Sequence, residues 1–472
     1  MIWQLDRPQP ALPASYFWTW DHSTNWVLDD PGNVTFGCAN PYLKRPETYL
    51  EDYRRLTDFS AGLGVKGVLI WGFLRDSHGG IDAGKRVADY AAERGVAIMP
   101  GVGTTHYGGI YYEGDHPYCI DTFLREHPEA AMLDEEGHRI SHSTCPSSPA
   151  FLEWLAEGLD WLYKEFAIGG INLENGDFMV CHCPQCKAHQ ASWPAGDPDF
   201  FRLQAMSYLP ALRAVTDRMD GLVTWATYTG FLPEDPKPVN HMTGSMLCRR
   251  PAIIDRVPDG AITQWTLTGM VRQRDAEDAA IRPLPLLAYL DDGAPEAALD
   301  IPQWPRDLKP LGPRSVGFLH QGSQWTGHRY EMVVSTIKEG CLRAYRAGLE
   351  GVSIHGEISP RCVPWALNYL AFSHFIHWPE DSLREFGRKT LGQIFDSEAD
   401  GDAYAELLAH VESGSMAEAQ RKELEQRAGQ AARMLSTYRG NDPEAATTRW
   451  QLWDWLWVTS RGPQWRQVQN WF

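Results

Sequence analysis

The sequence predicts an α/β protein: a (β/α)8 (TIM) barrel followed by a helical C-terminal extension. Two observations favour this fold class. Short β-branched or aromatic runs alternate with amphipathic helical patterns, and there are eight such runs. Beyond residue 357 the strand pattern stops and helical patterns continue. We therefore expect a barrel domain over residues 1–364 and a helical extension, packed on the barrel, over residues 365–472.

Each predicted strand is a short apolar run bounded by turn residues. The eight strands are Tyr16–Trp20, Val65–Trp71, Val96–Val102, Gly170–Glu174, Leu222–Tyr228, Ala261–Leu267, Ser315–His320 and Gly351–Glu357. A ninth run, Leu284–Leu290, contains Pro285 and follows Pro283, and proline suits a central strand poorly. We assign this run to an excursion after the sixth strand.

The predicted helices lie between these strands. The clearest is Pro46–Leu63, which opens with proline, closes at glycines and spaces its apolar residues three to four apart: Tyr49, Tyr53, Leu56 and Phe59. Further helices are predicted over Asp82–Arg94, Pro149–Phe166 and Tyr330–Ala347, and the residue after the first and third of these is a glycine.

The C-terminal extension begins near Trp365 and contains a charged helical stretch, Ala403–Tyr438. Six tryptophans then fall in the last 23 residues: Trp450, Trp453, Trp455, Trp457, Trp465 and Trp471. The tail is interpreted as a helix that docks either on the barrel or on a second copy of the chain. Docking on a second copy would make the protein a homo-oligomer.

Composition excludes several classes of protein. The chain has 472 residues, a formal charge of −18 and 43% apolar residues, enough for a full core. The acidic balance argues against a nucleic-acid or anionic-membrane partner, since either needs a basic surface. No run of 18 apolar residues and no signal-peptide pattern at the start is visible. Nine cysteines, an odd number with four close together, suit a reducing compartment, so we expect a cytoplasmic protein.

In a TIM barrel the active site lies where strands end and βα loops begin. The residues at these positions are aromatic, carboxylate, imidazole and amide side chains, which suit sugar rings and their hydroxyls, and no phosphate-binding glycine loop is present. The predicted substrate-binding residues are Asp21, His22, Trp71, His106, Asn175, Asp177, Tyr228, Trp265, His320, Gln321, Trp325 and His355. The alternative is that the tryptophans only cap the barrel core.

Two glutamates each close an apolar strand. Glu174 ends the fourth predicted strand and Glu357 ends the eighth, and these strands face each other across an eight-stranded barrel. Glycoside cleavage needs two carboxyl groups that flank one bond, and a carboxylate at the end of a buried strand is costly unless it is paired or used. The alternative for either glutamate is a salt bridge to a rim arginine such as Arg75 or Arg361.

The cysteine cluster is the most specific local motif. Cys181, Cys183 and Cys186 follow the fourth strand, and Cys145 precedes the helix that leads into it. Four thiolates from two nearby loops match a closed, structural Zn²⁺ site. His182 or His189 could replace one thiolate, and the cluster could also consist of unmetallated thiols or bind a catalytic metal. Five cysteines are assigned to ordinary buried positions: Cys38, Cys119, Cys248, Cys341 and Cys362.

These motifs together resemble the zinc-containing β-galactosidases of glycoside hydrolase family 42. The resemblance rests on the turn Cys145-Pro-Ser-Ser-Pro149, on Glu174, and on the C-x-C-x-x-C motif that begins at Cys181. It also includes Glu357, which Pro360 and Trp365 follow. The resemblance implies a (β/α)8 barrel, Glu174 as the acid/base, Glu357 as the nucleophile and structural zinc bound by the four cysteines.

The predicted function is therefore glycoside hydrolysis, with Glu174 as acid/base and Glu357 as nucleophile or base. The sugar is left open. Cationic residues near strand ends suggest an acidic sugar, with simple salt bridges as the alternative: Arg75, His78, Arg249, Arg250, His320, His355 and Arg361. Two further functions remain open. One is a non-catalytic barrel that binds carbohydrate or a protein partner, and the second is a metal-dependent hydrolase using His22, His106, His320 and His355.

Overall fold

The computed structural model of this chain describes residues 4–27, 44–174, 181–191, 212–213, 216, 222–230, 257–268, 314–322, 332–361 and 363–461. Within them lie ten strands: β1 Tyr16–Trp20, β2 Gly67–Trp71, β3 Ala97–Gly103, β4 Ala131–Leu133, β5 Arg139–Thr144, β6 Gly170–Glu174, β7 Leu222–Gly230, β8 Ala261–Thr268, β9 Ser315–Gly322 and β10 Gly351–His355.

Eight of these strands form a closed, parallel barrel. Its order is β1-β2-β3-β6-β7-β8-β9-β10, and β10 pairs with β1, placing Ser353 opposite Tyr16. In the described part of the chain, helices lie between these strands and pack on the outside of the sheet. The fold is therefore the (β/α)8 TIM barrel that the sequence predicts, and the prediction is confirmed.

The helices of the barrel region are α1 Pro46–Leu63, α2 Gly80–Ala92, α3 Ile120–Glu126, α4 Pro149–Glu165, α5 Pro184–Ala191, α6 Val334–Arg346 and α7 Val363–His377. Helix α1 has the predicted bounds because its local signals agree. Pro46 occupies the first turn, the apolar stripe is buried, and Gly64 ends the helix with φ 67°. The buried Leu56 and Phe59 contribute about 1.5–3 kcal/mol each to folding.

The barrel interior has an aromatic side and a polar side. Along β1 the side chains alternate, so that Phe17 packs under the outer helices whereas Trp18 and Trp20 point inward. The inward cluster continues through Trp71 of β2, Met99 of β3 and Phe318 of β9. On the opposite side, the Asn172 amide donates a hydrogen bond of 3.2 Å to Gln264 within the barrel. The two sides meet at the C-terminal ends of the strands, which form the mouth of the barrel.

The loop between β3 and α4 contains an antiparallel hairpin, β4–β5, that was not predicted from the sequence. Its second strand is largely exposed and polar, so it lacks the apolar run by which the barrel strands are recognised. Gly137, with φ 87°, makes the turn between the two strands. Cys145 follows the hairpin directly, so the hairpin positions the first cysteine of the predicted cluster.

The C-terminal helices are α8 Leu383–Phe386, a π-helical turn Gly387–Leu391, α9 Gly392–Phe395, α10 Glu398–Glu412, α11 Glu418–Thr437 and α12 Pro443–Ser460. Helix α7 contains the predicted boundary at residues 364–365 and follows β10, the last strand of the barrel. Its Ile376 carbonyl accepts a 3.0 Å hydrogen bond from the Leu12 N–H. The division into two domains therefore stays a prediction.

The tryptophan-rich segment packs on its own chain as far as the structure describes it. Trp453 of α12 lies 5.3 Å from Phe395 and 4.8 Å from Tyr404, measured between ring centroids. Trp465 and Trp471 lie outside the described residues, as does the run Leu284–Leu290. Across the described part of the chain, no helix combines the length and the apolar character needed to cross a membrane.

Candidate active site at the mouth of the barrel

Glu174 is the last residue of β6 and points into the barrel. Its neighbours Ile171 and Leu173 belong to the outer core, so the two-residue period of the strand turns Asn172 and Glu174 inward. The strand end is fixed by β3, because the Thr104 N–H donates a 3.0 Å hydrogen bond to the Glu174 carbonyl. The side chain is buried, with 4% of the residue exposed.

Glu357 lies two residues beyond β10 and is completely buried. The predicted strand extended to Glu357, but the chain leaves the sheet after His355. The carboxylate turns toward β1, where its Oε1 accepts a 3.1 Å hydrogen bond from the Trp20 N–H. Its Oε2 lies 3.8 Å from His355 Nδ1. The first strand of the barrel thus orients the carboxylate that follows the last strand.

The strands that carry these two glutamates lie on opposite sides of the barrel. In the ring order, β6 and β10 are four strands apart, as the sequence predicts. Arg75, a predicted salt-bridge partner for either glutamate, forms ion pairs with Asp21, at 2.6 Å, and with Glu113. Because two carboxylates balance its charge, Arg75 does not support the prediction of an acidic sugar.

Asp21 is the centre of a polar network at the end of β1. It is 2% exposed, and its carboxylate contacts Arg75, His22 Nδ1 at 3.2 Å and His78 Nε2 at 3.4 Å. Burial alone would raise the pKa of Asp21, but hydrogen bonds from the two histidines and the Arg75 charge hold it below its usual range. Gly72 lies against this carboxylate with φ 77° and has no room for a Cβ.

The network fixes the tautomers of its histidines. A carboxylate only accepts hydrogen bonds, so the His22 ring carries a proton on Nδ1 and donates it to Asp21. His78 Nε2 also lies 2.9 Å from the Gly72 carbonyl and therefore carries the proton there. His78 is fully buried, whereas the His22 side chain is 17% exposed. His22 is thus the more exposed member of the pair, although its Nε2 atom is itself buried.

Trp18, Trp20 and Trp71 form an aromatic wall on the β1–β2 side of the mouth. Trp20 lies 5.6 Å from Trp18 and 5.3 Å from Trp71, between ring centroids. Trp71 is completely buried because its ring packs over Gly101, where a Cβ would lie 2.4 Å from the ring. This burial does not support the prediction that Trp71 contacts substrate. The Trp71 ring packs behind Trp20 and stabilises the wall from the buried side.

Two further predicted substrate-binding histidines are buried. His106 follows β3 with 4% exposure, and its Nδ1 lies 2.9 Å from the Thr105 hydroxyl. Burial and the nearby His142 lower the pKa of His106 to about 4, so the ring is neutral at pH 7. His355 is 1% exposed and packs 5.2 Å from Trp18. Both lie at the mouth side of the barrel interior.

The remaining predicted residues are at most partly within the described structure. Four lie in the backbone of β7, β8 or β9, and their side chains are outside the described residues: Tyr228, Trp265, His320 and Gln321. Several lie wholly outside: Asn175, Asp177, Trp325, Arg249, Arg250, Cys38, Cys248 and Cys362. Their roles stay predictions. Cys119 and Cys341 are buried thiols.

The sequence interpretation missed two aromatic residues of the mouth, Tyr107 and Tyr112. Tyr107 lies 5.5 Å from Trp20 and 5.7 Å from Trp71, and Tyr112 lies 6.1 Å from Trp20, between ring centroids. The Arg75 guanidinium lies 4.0 Å from the centre of the Tyr112 ring. Both tyrosines are in the β3–α3 loop rather than at a strand end. The glycine pair after Tyr107 was the available signal of an unusual loop.

The four cysteines of the motif come together as a group that could hold a metal ion. Cys145 Sγ lies 3.6 Å from Cys181 Sγ and from Cys186 Sγ, and 3.7 Å from Cys183 Sγ. Sulfurs placed tetrahedrally at about 2.3 Å from an ion would be about 3.8 Å apart, so the geometry fits. Neither alternative ligand, His182 or His189, belongs to this group.

Neighbouring residues orient the thiols. The Ser147 hydroxyl lies 3.1 Å from Cys186 Sγ, and the Cys186 N–H donates to Cys183 Sγ at 3.3 Å. The hairpin also anchors both loops: the Cys145 N–H donates to the Ala130 carbonyl, and the His182 N–H donates to the Leu133 carbonyl. The cysteine group therefore ties the β5–α4 junction to the segment that follows β6.

The described residues contain one further group that could bind a metal, at the tip of the hairpin: Asp134, Glu136 and His138. This group is largely exposed. His22, His106 and His355 belong to neither group, so within the described part of the chain nothing brings these rim histidines together as metal ligands.

Comparison with protein-family models finds no match, and neither does comparison with curated protein sequences. Solved structures of similar shape include a noncanonic maltogenic α-amylase from Thermotoga neapolitana, at 11% identity and TM-score 0.40, covering 78% of this chain and 77% of that one. An α-amylase from Geobacillus thermoleovorans gives 11% identity and TM-score 0.41, with coverage of 79% and 80%. A β-N-acetylhexosaminidase from Bacteroides fragilis gives 13% and 0.39, with coverage of 77% and 66%. At these values no residue role is transferred from them.

Proposed function

We propose that this chain is a glycoside hydrolase in which Glu174 and Glu357 are the two working carboxyl groups. One observation carries the proposal: two buried carboxylates follow opposite strands of a TIM barrel, at the end where the aromatic wall lies. Burial of a carboxylate is costly unless the group is paired or used, and a cleft at the strand ends of a TIM barrel is where such groups are used for chemistry. The aromatic wall suits the apolar faces of sugar rings.

In this proposal Glu174 is the general acid that protonates the leaving oxygen. Glu357 is the nucleophile if the anomeric configuration is retained, or the base that activates water if it is inverted. The Trp20 N–H orients Glu357 from the first strand, so the carboxylate is held in place before substrate arrives. The resemblance to family 42 β-galactosidases supports the same assignment, and the sugar stays open.

The proposal is tested by a screen of p-nitrophenyl glycosides, comparing wild type with Glu174→Gln. We expect turnover of at least one glycoside. The variant should lose more activity on a natural oligosaccharide than on the activated aryl glycoside, because the aryl leaving group needs little protonation. Glu350→Gln is the matched control, since Glu350 pairs with Arg314 at the opposite end of the barrel.

Two outcomes would contradict the proposal. Equal loss of activity in Glu174→Gln and Glu350→Gln, in step with the amount of folded protein, would make Glu174 a structural residue. Binding of oligosaccharides without turnover of any glycoside would favour the non-catalytic carbohydrate-binding barrel.

The cysteine group forms the second part of the proposal: Cys145, Cys181, Cys183 and Cys186 hold one structural Zn²⁺. Four thiolates at tetrahedral spacing, with hydrogen bonds from Ser147 and a backbone N–H, fit this ion. Zinc bound in this way supplies cross-linking and no open coordination position for chemistry.

Metal analysis of the purified protein tests the zinc site. We expect about one zinc per chain, and Cys183→Ser should lower both metal content and melting temperature while leaving activity in the folded fraction. Cys119→Ser is the control, because that thiol is buried outside the group and its loss should leave zinc content unchanged. Zinc-free protein of unchanged stability would contradict this part.

A further inference from the structure

Glu357 lies beyond the end of its strand, so the regular ladder of the sheet does not set its position. The last residues that pair between β1 and β10 are Trp18 and His355. The next N–H, that of Gly356, still donates a 3.0 Å hydrogen bond to the Trp18 carbonyl. A carboxyl group that reacts with a substrate must be held within a fraction of an ångström of its working position. Contacts outside the sheet therefore have to hold the peptide that carries Glu357.

The chain that follows β1 supplies three such contacts. The Trp20 N–H donates to the Glu357 carboxylate at 3.1 Å, and the Asn25 N–H donates to the Glu357 carbonyl at 2.8 Å. The indole N–H of Trp26 donates to the Gly356 carbonyl at 2.9 Å. One segment thus holds the carboxylate of Glu357 and the two backbone carbonyls on either side of its Cα.

The Trp26 side chain is fixed by packing between the barrel helices. The residue is 3% exposed, and its ring lies 5.2 Å from Phe59 of α1 and 6.4 Å from Tyr369 of α7, between ring centroids. The Tyr369 hydroxyl donates to the carbonyl of Ile358 at 2.9 Å, one residue beyond Glu357. Because both neighbouring rings are themselves buried, the indole N–H has a set direction.

A buried ion pair holds the same segment from helix α1. Asp52 pairs with Lys44, and both side chains are almost fully buried. The Asp52 carboxylate also accepts a 2.7 Å hydrogen bond from the Val27 N–H, and the Lys44 ammonium donates to the Thr24 carbonyl. Trp26 lies between these two anchored residues in the chain. The contacts that place its indole therefore begin at an outer helix of the barrel.

We propose that Trp26 is a positioning residue for Glu357: its indole N–H fixes the peptide carbonyl before Glu357, which keeps the carboxylate on the Trp20 N–H and in place for reaction. Trp26 does not touch substrate in this role, because its ring is buried between α1 and α7. Glu357 is a nucleophile or base only in the proposed glycosidase, so this role rests on the proposed function.

The test compares Trp26→Phe with the matched control Trp154→Phe. Phenylalanine keeps a ring at each position and removes the indole N–H. Trp154 is 8% exposed, and its N–H also donates to a backbone carbonyl, that of Pro117 in the β3–α3 loop, at 2.7 Å. A third variant carries benzothienylalanine at position 26, which keeps the size of the indole and replaces only the N–H by sulfur. It tests the hydrogen bond even if Trp26→Phe folds poorly.

The first readouts are kcat and KM for the best p-nitrophenyl glycoside, and melting temperature. We expect both variants at position 26 to lower kcat about tenfold or more and to change KM by less than about threefold, because a displaced nucleophile or base costs rate rather than binding. Trp154→Phe should keep kcat per folded molecule within about twofold, although its melting temperature also falls. Wild-type kcat in the benzothienylalanine variant, or an equal fall in Trp154→Phe, would overturn the role.

Hydrogen exchange, followed by mass spectrometry, tests the same contact without turnover. The N–H groups of Trp20, Asn25 and Gly356 bridge the segments that follow β1 and β10. Loss of the Trp26 donor should speed their exchange about fivefold, the effect of one lost hydrogen bond, whereas Trp154→Phe should leave it unchanged. Wild-type exchange of these groups in both variants at position 26 would overturn the role, whatever happens to kcat.

The role of Trp26 and the proposed function can fail separately. If Glu357→Gln is inactive while both variants at position 26 match wild type in kcat and exchange, the glycosidase stands and Trp26 only packs. If wild type hydrolyses no glycoside, the glycosidase function is wrong, and the exchange measurement alone decides whether Trp26 holds Glu357.

Discussion

The mouth of the barrel and the junction between α7 and the π-helical turn both contain buried ionisable groups, but they use them differently. At the junction, His374 lies between the Thr390 hydroxyl, 2.8 Å from Nδ1, and Asp381, 3.3 Å from Nε2. Lys389 of the π-helical turn reaches the same carboxylate at 2.7 Å. These contacts join α7 to the π-helical turn.

At the mouth, the buried groups point toward the space where the strands end. Glu174 and Glu357 follow opposite strands, and the Asp21 network lies at the end of β1. Burial of a charge therefore does not itself indicate catalysis. In a TIM barrel, position at the C-terminal end of a strand favours a catalytic role, which is the role proposed for the two glutamates.

The strongest test of this contrast is Glu357→Gln. Turnover should fall by several orders of magnitude on aryl and natural glycosides alike, since a nucleophile or base is needed for both. The melting temperature should be kept or raised, because glutamine still accepts from the Trp20 N–H and removes a buried charge. Steady-state kinetics and thermal unfolding measure the two effects.

If the enzyme retains configuration, azide should restore turnover of Glu357→Gln and give a product of inverted anomeric configuration. A loss of several kcal/mol of stability with near-normal turnover per folded molecule would instead place Glu357 with the structural charges of the junction.

A second contrast between the two regions is expected when the pH is lowered. Burial lowers the pKa of His106 at the mouth and of His377 in α7 to about 4 in each case, with His142 and Arg7 contributing. As the pH falls, each of these histidines is protonated in the unfolded chain before it is protonated in the folded chain. Their contribution to the free energy of unfolding is therefore complete above about pH 6.5 and is lost as the pH drops toward 4. Each histidine accounts for up to about 3 kcal/mol over that range.

His377→Gln should therefore flatten the acid limb of the stability profile and leave turnover per folded molecule unchanged. His106→Gln should flatten the same limb and also alter turnover, because His106 lies beside the strand that holds Glu174. Chemical denaturation at pH 7 and pH 5 measures the slopes. An unchanged acid limb in both variants would show that different groups control it.

A smaller loss of stability is expected for Asp381→Asn. This substitution leaves His374 and Lys389 without their carboxylate and should cost about 2 kcal/mol, since Asp381 is partly exposed and solvent screens the pair. Turnover per folded molecule should equal that of wild type. Asp402→Asn, at a more exposed ion pair with Arg384, is the control and should cost less. Reduced turnover in folded Asp381→Asn would remove the distinction between junction and mouth.

Much of the fold follows from local signals. Strands β1 and β6 and helix α1 have the predicted bounds, because apolar period, proline and glycine agree at those places. The hairpin β4–β5 was missed since its exposed second strand lacks an apolar pattern. The end of β10 was misplaced because Glu357 leaves the sheet for a contact with Trp20, 337 residues away in the chain.

The candidate site could be predicted only in part, for the same reason. Strand ends identify Asp21, His22 and the two glutamates, but the register between strands decides which side chains reach the mouth. Trp71 is buried because Gly101 lies opposite it on β3. Arg75, for which an acidic sugar and a salt bridge were both left open, pairs with Asp21. Such contacts cross between strands and leave no trace in local sequence.

Closure of the barrel by β1 and β10 has a kinetic consequence. The pairing of Tyr16 with Ser353 joins residues far apart in sequence, and such contacts form late because the loop-closure entropy must be overcome first. Until then, the outer edge of β1 stays unpaired while more than 300 residues are synthesised, a hazard for association with other chains. The Trp20 contact that seats Glu357 requires β1 and β10 to have met. For the proposed glycosidase, recovery of turnover during refolding would therefore report closure of the ring of strands.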